Sequence, residues 1–301
     1  MPESRDRPMM WVDAFADRPF GGNPCAVVFD ADAVDLETRL AFTRETRLSE
    51  CVFLQASDRA AFGARYYTAA GEILLAGHPT VATIIALIAA DKLPAPSRAQ
   101  PVETTLEIGA GVLPITVEAP PDGGPPRVEM VQPAPAFGRY YAPIQIAELV
   151  GLEAADVAAP PRTVDIGGTR FCVTLLQSKD ALRRARLDAE RLEAFRADAD
   201  FREPFLATLG GATPEGDTFS RLLLAPPEPA EDPFTGSATG CLAAYLWSEG
   251  LIETPRFVAE QGHDMDRPGR AWVEILGPRA EPSGVKVAGQ GVVLMRGAVA
   301  L

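Results

Sequence analysis

Positive charge is scarce in this chain: 28 lysines and arginines stand against 41 aspartates and glutamates, for a formal net charge of −13. Nucleic-acid binding needs clustered Lys and Arg to neutralise phosphates. Here the basic residues are scattered or mixed with acids, as in Arg183-Arg184 followed by Asp188 and Glu190. Nucleic acid is therefore excluded as the expected partner, and an anionic substrate must be held by local dipoles rather than by the overall field. Cysteine is scarce too. Cys25, Cys51, Cys172 and Cys241 stand far apart in apolar stretches, with no Cys/His spacing that suggests zinc. They read as buried free thiols in a reducing compartment, and no metal is expected. Long hydrophobic runs are missing: VATIIALIAA (81–90) is the longest and is too short to span a bilayer. The opening MPESRDRPMMWVDAF has charges but no apolar core of a secretory signal. The expectation is a cytoplasmic protein with no membrane contact. Histidine is rare as well, with two residues, His78 and His263.

What is present is ordinary globular material, 47% hydrophobic and 23% charged, in a chain long enough for two domains. Strand-like segments at 9–15 and 25–29 flank a turn-rich loop, Arg18 to Pro24. A helix is expected over 35–46 from the apolar spacing of Leu36, Leu40 and Phe42. Strands follow at 51–55 and 64–68, a helix at 79–91, a hairpin over 104–119 and a strand at 127–132. The stretch PPDGGPP (120–126) marks the break between an N-terminal domain, 1–130, and a C-terminal domain, 131–289. A last strand near 290–301 is available to complete the first. In the second half, 144–151, 187–198 and 237–249 read as helices. Residues 170–176, 220–225, 256–259 and 271–276 read as strands, and the tail returns to strands.

The helices at 79–91 and 238–249 are apolar on every side, so each must be enclosed by protein. With many short strands nearby, the expected class is α+β: two similar domains, each a curved, mostly antiparallel sheet or barrel around a buried central helix. Gly77-His78-Pro79-Thr80 through Leu87 aligns without gaps on Gly236-Ser237-Ala238-Thr239 through Leu246, sharing Gly, Thr and Leu. This points to two halves built on one plan.

If the halves face each other, two helix amino ends with unpaired N–H groups offer a site for a carboxylate or enolate oxygen. His78 at such an end is disfavoured from taking a second proton, and is either a neutral hydrogen-bonding group of the site or a plain cap. His263, in EQGHDMDRPGR, is expected in solvent. Ser237 is an N-cap or a substrate contact. Asp232, kept extended by Pro233, either caps backbone groups or orients His78. Glu50, beside the apolar run Cys51 to Leu54, is either a partly buried acid–base group with a raised pKa or a strand-edge glutamate in water.

Six segments taken together resemble the phenazine-biosynthesis PhzF-like family: VDAFADRPFGGNPCAVV (12–28), TRETRLSECVFL (43–54), ARYYTAAGEILLAGHPTVAT (64–83), SRLLLAP (220–226), EDPFTGSATGCLAAYL (231–246) and EQGHDMDRPGR (260–270). The resemblance implies the diaminopimelate-epimerase-like fold, an active site between two domains, a homodimer, and no cofactor. It implies an isomerase that moves a proton on a small carboxylated substrate, with Glu50 as the proton carrier and His78, Asp232 and Ser237 assisting. Gly77, Gly236 and Asn23 are the expected substrate-binding positions. The thiol pair of the related racemases would fall at Ala76 and Thr235, neither of which can be a carbon base. Ala76, Cys51 and the stretch TGSATGC depart from common members of the family and leave the substrate open. Two other readings remain: a one-glutamate epimerase of a chiral acid, and a binding protein that keeps the fold without catalysis.

Overall fold

The computed structural model describes residues 6–121, 123–226 and 228–301. The first five residues of the charged opening segment and Asp122 of the turn-rich stretch lie outside the described residues. The chain divides into two compact units: residues up to Val131 together with Ala288–Leu301, and Gln132–Val287.

In chain order the first unit contains β1 (Asp6–Ala14), β2 (Asn23–Val28), α1 (Leu36–Thr46), β3 (Cys51–Gln55), β4 (Phe62–Tyr67), β5 (Glu72–Ile73), α2 (Gly77–Ala89), β6 (Val102–Ile108), β7 (Gly111–Glu118) and β8 (Arg127–Gln132). In the second, β9 (Ala136–Tyr140), α3 (Pro143–Ala147), β10 (Arg162–Asp165), β11 (Phe171–Leu175), α4 (Lys179–Arg184) and α5 (Ala189–Arg196) come first. They are followed by β12 (Glu203–Leu209), β13 (Thr218–Leu223), β14 (Glu231–Asp232), α6 (Gly236–Ser248), β15 (Arg256–Gln261) and β16 (Gly269–Leu276). The last strand, β17 (Gly284–Ala300), begins in the second unit and ends in the first.

The first unit is a closed barrel. β17 pairs with β1, β1 with β2, β2 with β3, β3 with β4, β4 with β6, β6 with β7, β7 with β8, and β8 again with β17. β2–β3 and β4–β6 are parallel. The α2 helix packs against β1, β2 and β3, and every residue from Gly77 to Leu87 is buried. Its all-round apolar surface is the reason, since full burial of a side chain such as Ile84 or Leu87 is worth roughly 1.5–3 kcal/mol.

The second unit repeats the plan. β10–β11 is antiparallel, β11–β12 parallel, β12–β13 antiparallel, β13–β15 parallel and β15–β16 antiparallel. That is the order of signs found from β1 to β7. The α6 helix packs against β10, β11, β12 and β16, as α2 packs in its own unit. The short hairpins also correspond: Tyr66 pairs with Ile73 and Leu222 with Asp232. Asp232 thus holds the place that Ile73 holds in the first unit. Thr80 and Thr239, aligned in the sequence, each donate a side-chain hydrogen bond to the carbonyl four residues back, Ala76 O at 2.7 Å and Thr235 O at 2.9 Å.

The α1 helix is present, but its inward face is not the expected one. Leu36 is 57% exposed, whereas Arg39 and Thr43 are buried. The Arg39 guanidinium is held by the carbonyls of Val34 and Ala31, both at 2.9 Å, and lies near the faces of Phe53 and Tyr67. A charge with a hydrogen bond from each guanidinium nitrogen, the third to Tyr67 Oη at 3.3 Å, and set against aromatic rings tolerates burial. It ties α1 to β3 and β4. All four cysteines are buried and free.

Candidate active site

Three segments of the first unit bring their polar side chains together. β2 opens with Asn23. The chain leaves α1 through Arg47, whose left-handed φ of 56° turns it back. Leu48 and Ser49 then lead to Glu50 at the threshold of β3. Because β3 runs parallel to β2 with Ala26 opposite Cys51, Glu50 comes alongside Cys25, whose Sγ is 3.6 Å from the Glu50 carbonyl. The third segment is the start of α2, where His78 is the second helical residue and only 3% exposed.

His78 Nε2 lies 3.0 Å from Glu50 Oε2. The contact is close but oblique, with the N–H not aimed along the line between the atoms. On the other side of the ring, Asn23 Nδ2 is 3.1 Å from Nδ1, and Ser49 Oγ donates to Asn23 Oδ1 at 3.3 Å. Desolvation by burial holds the His78 pKa down to about 3, so the imidazole is neutral and carries one ring proton. The Glu50 side chain is 19% exposed against 4% for His78, so the carboxylate is the more accessible of the two.

The amino end of α2 is fixed from below. Thr80 uses its single proton on Ala76 O, so Tyr66, at 2.8 Å from Thr80 Oγ1, is the donor in that pair. Burial pushes the Tyr66 phenol well up from its ordinary value and keeps it protonated. The N-cap position is Ala76, which has no side chain able to cap. His78 is therefore not a capping histidine, and the positive end of the helix faces whatever lies before it without a side-chain acceptor.

In the second unit, Asp232 ends β14 and is 5% exposed. Its Oδ2 accepts from Thr235 Oγ1 at 2.5 Å. Gln261, fully buried, grips the same loop with both ends of its amide: Nε2 donates to Asp232 O at 2.8 Å and Thr235 Oγ1 at 3.2 Å, while Oε1 accepts from Thr235 N at 3.1 Å. Gln132 Nε2 holds the Gly236 carbonyl at 3.0 Å. The N-cap residue is Thr235, without a side-chain cap bond, and Ser237 is the second helical residue. The reading of Ser237 as an N-cap is corrected accordingly: helix α6 starts two residues earlier than that role requires. It occupies the position His78 has in α2, and it is half-buried. His263 is not in open solvent. Its side chain is 19% exposed, edge-on to Phe219 and 3.9 Å from the buried Glu260, which Thr213 and Arg270 hold with hydrogen bonds of 2.6–2.8 Å.

Asn23, Glu50, His78 and Gly77 thus share one locality in the first unit, and Asp232, Gly236 and Ser237 another in the second. Sequence reasoning passed over Ser49 and Gln261, although both stand inside segments that carry the family resemblance. Their signal is their neighbours: Ser49 adjoins Glu50, and Gln261 precedes the positive-φ Gly262. Among the described residues, no helix is long and apolar enough to cross a membrane, and no three His, Cys, Asp or Glu side chains are grouped to hold a metal ion.

A buried helix packed against strands in each of two units, with a histidine–glutamate pair at one helix start, defines the class to which comparison assigns the chain. Residues 12–297 match the phenazine biosynthesis-like protein (PhzC-PhzF) family, and the chain belongs to this family of isomerases. It is 30% identical over 292 residues to trans-2,3-dihydro-3-hydroxyanthranilate isomerase of Pseudomonas aeruginosa, covering 95% of this chain and 96% of that one. Among solved structures it is similar to a PhzF-family phenazine biosynthesis protein from Bacillus anthracis, with a TM-score of 0.86, 25% identity, and coverage of 99% and 100%. It is also similar to a predicted epimerase from Pseudomonas aeruginosa, with a TM-score of 0.83, 30% identity, and coverage of 97% and 99%.

Proposed function

We propose that the protein is a cofactor-independent isomerase that moves a proton between two carbons of a small carboxylated substrate, with Glu50 as the carrier. The observation that supports this most directly is the 3.0 Å approach of His78 Nε2 to Glu50 Oε2 at the uncapped amino end of α2. Glu50 removes a proton from an acidic C–H, the double bond shifts, and Glu50 returns the proton at the second carbon. Gly77, opening α2, supplies a backbone N–H to the substrate carboxylate and to the charge that develops on it. Asp232, Gly236 and Ser237 carry the assisting roles that the family resemblance implies. The protein works in the cytoplasm as a homodimer.

The test uses trans-2,3-dihydro-3-hydroxyanthranilate, the compound in the relative's name, in heavy water. Deuterium uptake and a change in ultraviolet absorbance are expected from the wild type. Glu50→Gln should lower turnover by roughly 10²–10⁴-fold, the usual range for one acid–base group, while leaving the fold intact. A fully active Glu50→Gln variant would sink the assignment. The similarity to a predicted epimerase favours a second reading, in which the same glutamate epimerises a chiral acid. That reading predicts loss of optical activity without an absorbance change.

A further inference from the structure

We infer that Asn23 is a positioning residue that fixes the tautomer of His78, in place of the substrate contact expected from the sequence. Asn23 is 1% exposed, which leaves no surface for a substrate. Its amide nitrogen, 3.1 Å from His78 Nδ1, has protons to give and no lone pair to offer, so Nδ1 must accept. The single proton of the neutral ring then sits on Nε2, facing Glu50 Oε2 at 3.0 Å. The opposite amide orientation would put the proton on Nδ1. It would also set the Nε2 lone pair at the same 3.0 Å from the lone pairs of Glu50 in the carboxylate form that its proposed role requires, a repulsive arrangement in a buried site. The two ends of the imidazole therefore demand the same polarity. Ser49, the neighbour of Glu50, completes it by donating to the Asn23 carbonyl oxygen.

The consequence rests on the proposed role of Glu50: with its proton on Nε2, the ring turns an N–H, and not a lone pair, toward the carboxylate that takes the substrate's proton. The tautomer itself is read without turnover. With two histidines in the chain, long-range proton–nitrogen NMR on ¹⁵N-labelled protein resolves each ring, and a His263→Gln variant assigns the remaining signal to His78. The wild type is expected to show Nε2 protonated and Nδ1 bare. Asn23→Asp, whose carboxylate can only accept, should place a proton on Nδ1. A wild-type His78 protonated on Nδ1, or an Nδ1 that stays bare in folded Asn23→Asp, overturns the inference. If that variant does not fold, the wild-type spectrum still decides. An active Glu50→Gln enzyme would remove the catalytic consequence and leave the tautomer assignment standing.

Discussion

Lowering the pH from about 7.5 to about 5 should cost the fold stability through one side chain, His78. Its ring is enclosed at the start of α2, and desolvation holds its pKa at about 3, against an ordinary histidine value near 6.5. Between those two values the unfolded chain binds a proton that the folded chain refuses, so the unfolded state gains on acidification. Stability from this group is complete above about pH 6.5 and drains away as the pH falls toward 3. At about pH 5 the unfolded imidazole lies some 1.5 pH units below its own pKa, which corresponds to a loss of about 2 kcal/mol. For a chain of this size that is a fall of roughly 3 °C in melting temperature. The assay is thermal melting of wild type and His78→Gln at both pH values, because the difference between the two proteins cancels the other titrating groups. An ionised Glu50 at 3.0 Å works against the effect by favouring the imidazolium. Equal pH dependence in the two proteins would refute the argument and would mean that His78 takes up its proton without leaving the fold.

Two further outcomes follow from the packing. A Cβ added at Gly240 would stand 1.8 Å from Gln132 Oε1 and 2.7 Å from Ile166 Cδ1, so Gly240→Ala must displace the buried glutamine that holds Gly236. It should cost about 1–3 kcal/mol, read as a lower melting temperature, and an unchanged melt would show that the site has room to spare. The four thiols are fully buried, and burial raises their pKa values, that of Cys51 to about 11. A thiol reagent should label none of them in native protein and all four in denaturant, whereas rapid native labelling would contradict the enclosed cores.

The strongest sequence signals were those with a single physical solution. A helix such as VATIIALIAA, apolar all round, has to be wrapped by strands, and α2 and α6 both are. The gapless alignment at Gly77 and Gly236 extends to the paired Thr80 and Thr239 bonds. Where a residue's role depends on distant partners, local pattern fell short. β12 was not anticipated because Glu203 and Pro204 do not look like a buried strand. Glu203 is nonetheless sheltered by Arg196 at 2.7 Å, and Pro204 sits in a parallel pairing opposite Cys172. β9 and β10 were also missed, and α1 turns inward a charge whose partners come from Ala31 and Val34. Within the candidate site, the residue types could be named from the sequence, but the order Ser49, Asn23, His78, Glu50 could not. It depends on β2 and β3 lying side by side and on the start of α2 coming up against both.

The closing strand also bears on how the protein is made. β17 inserts between β1 and β8, pairing Asp6 with Ala300 across nearly the entire length of the chain. A ribosome that has finished the first 131 residues has therefore released a barrel with one stave absent, its β1 edge and the flank of α2 bare. The second unit, whose ladder from β9 to β16 is contiguous in the chain, has its partners at hand first. Synthesis that proceeds from one end to the other would then be answered by assembly in the reverse order, with the earliest residues waiting on the last ones.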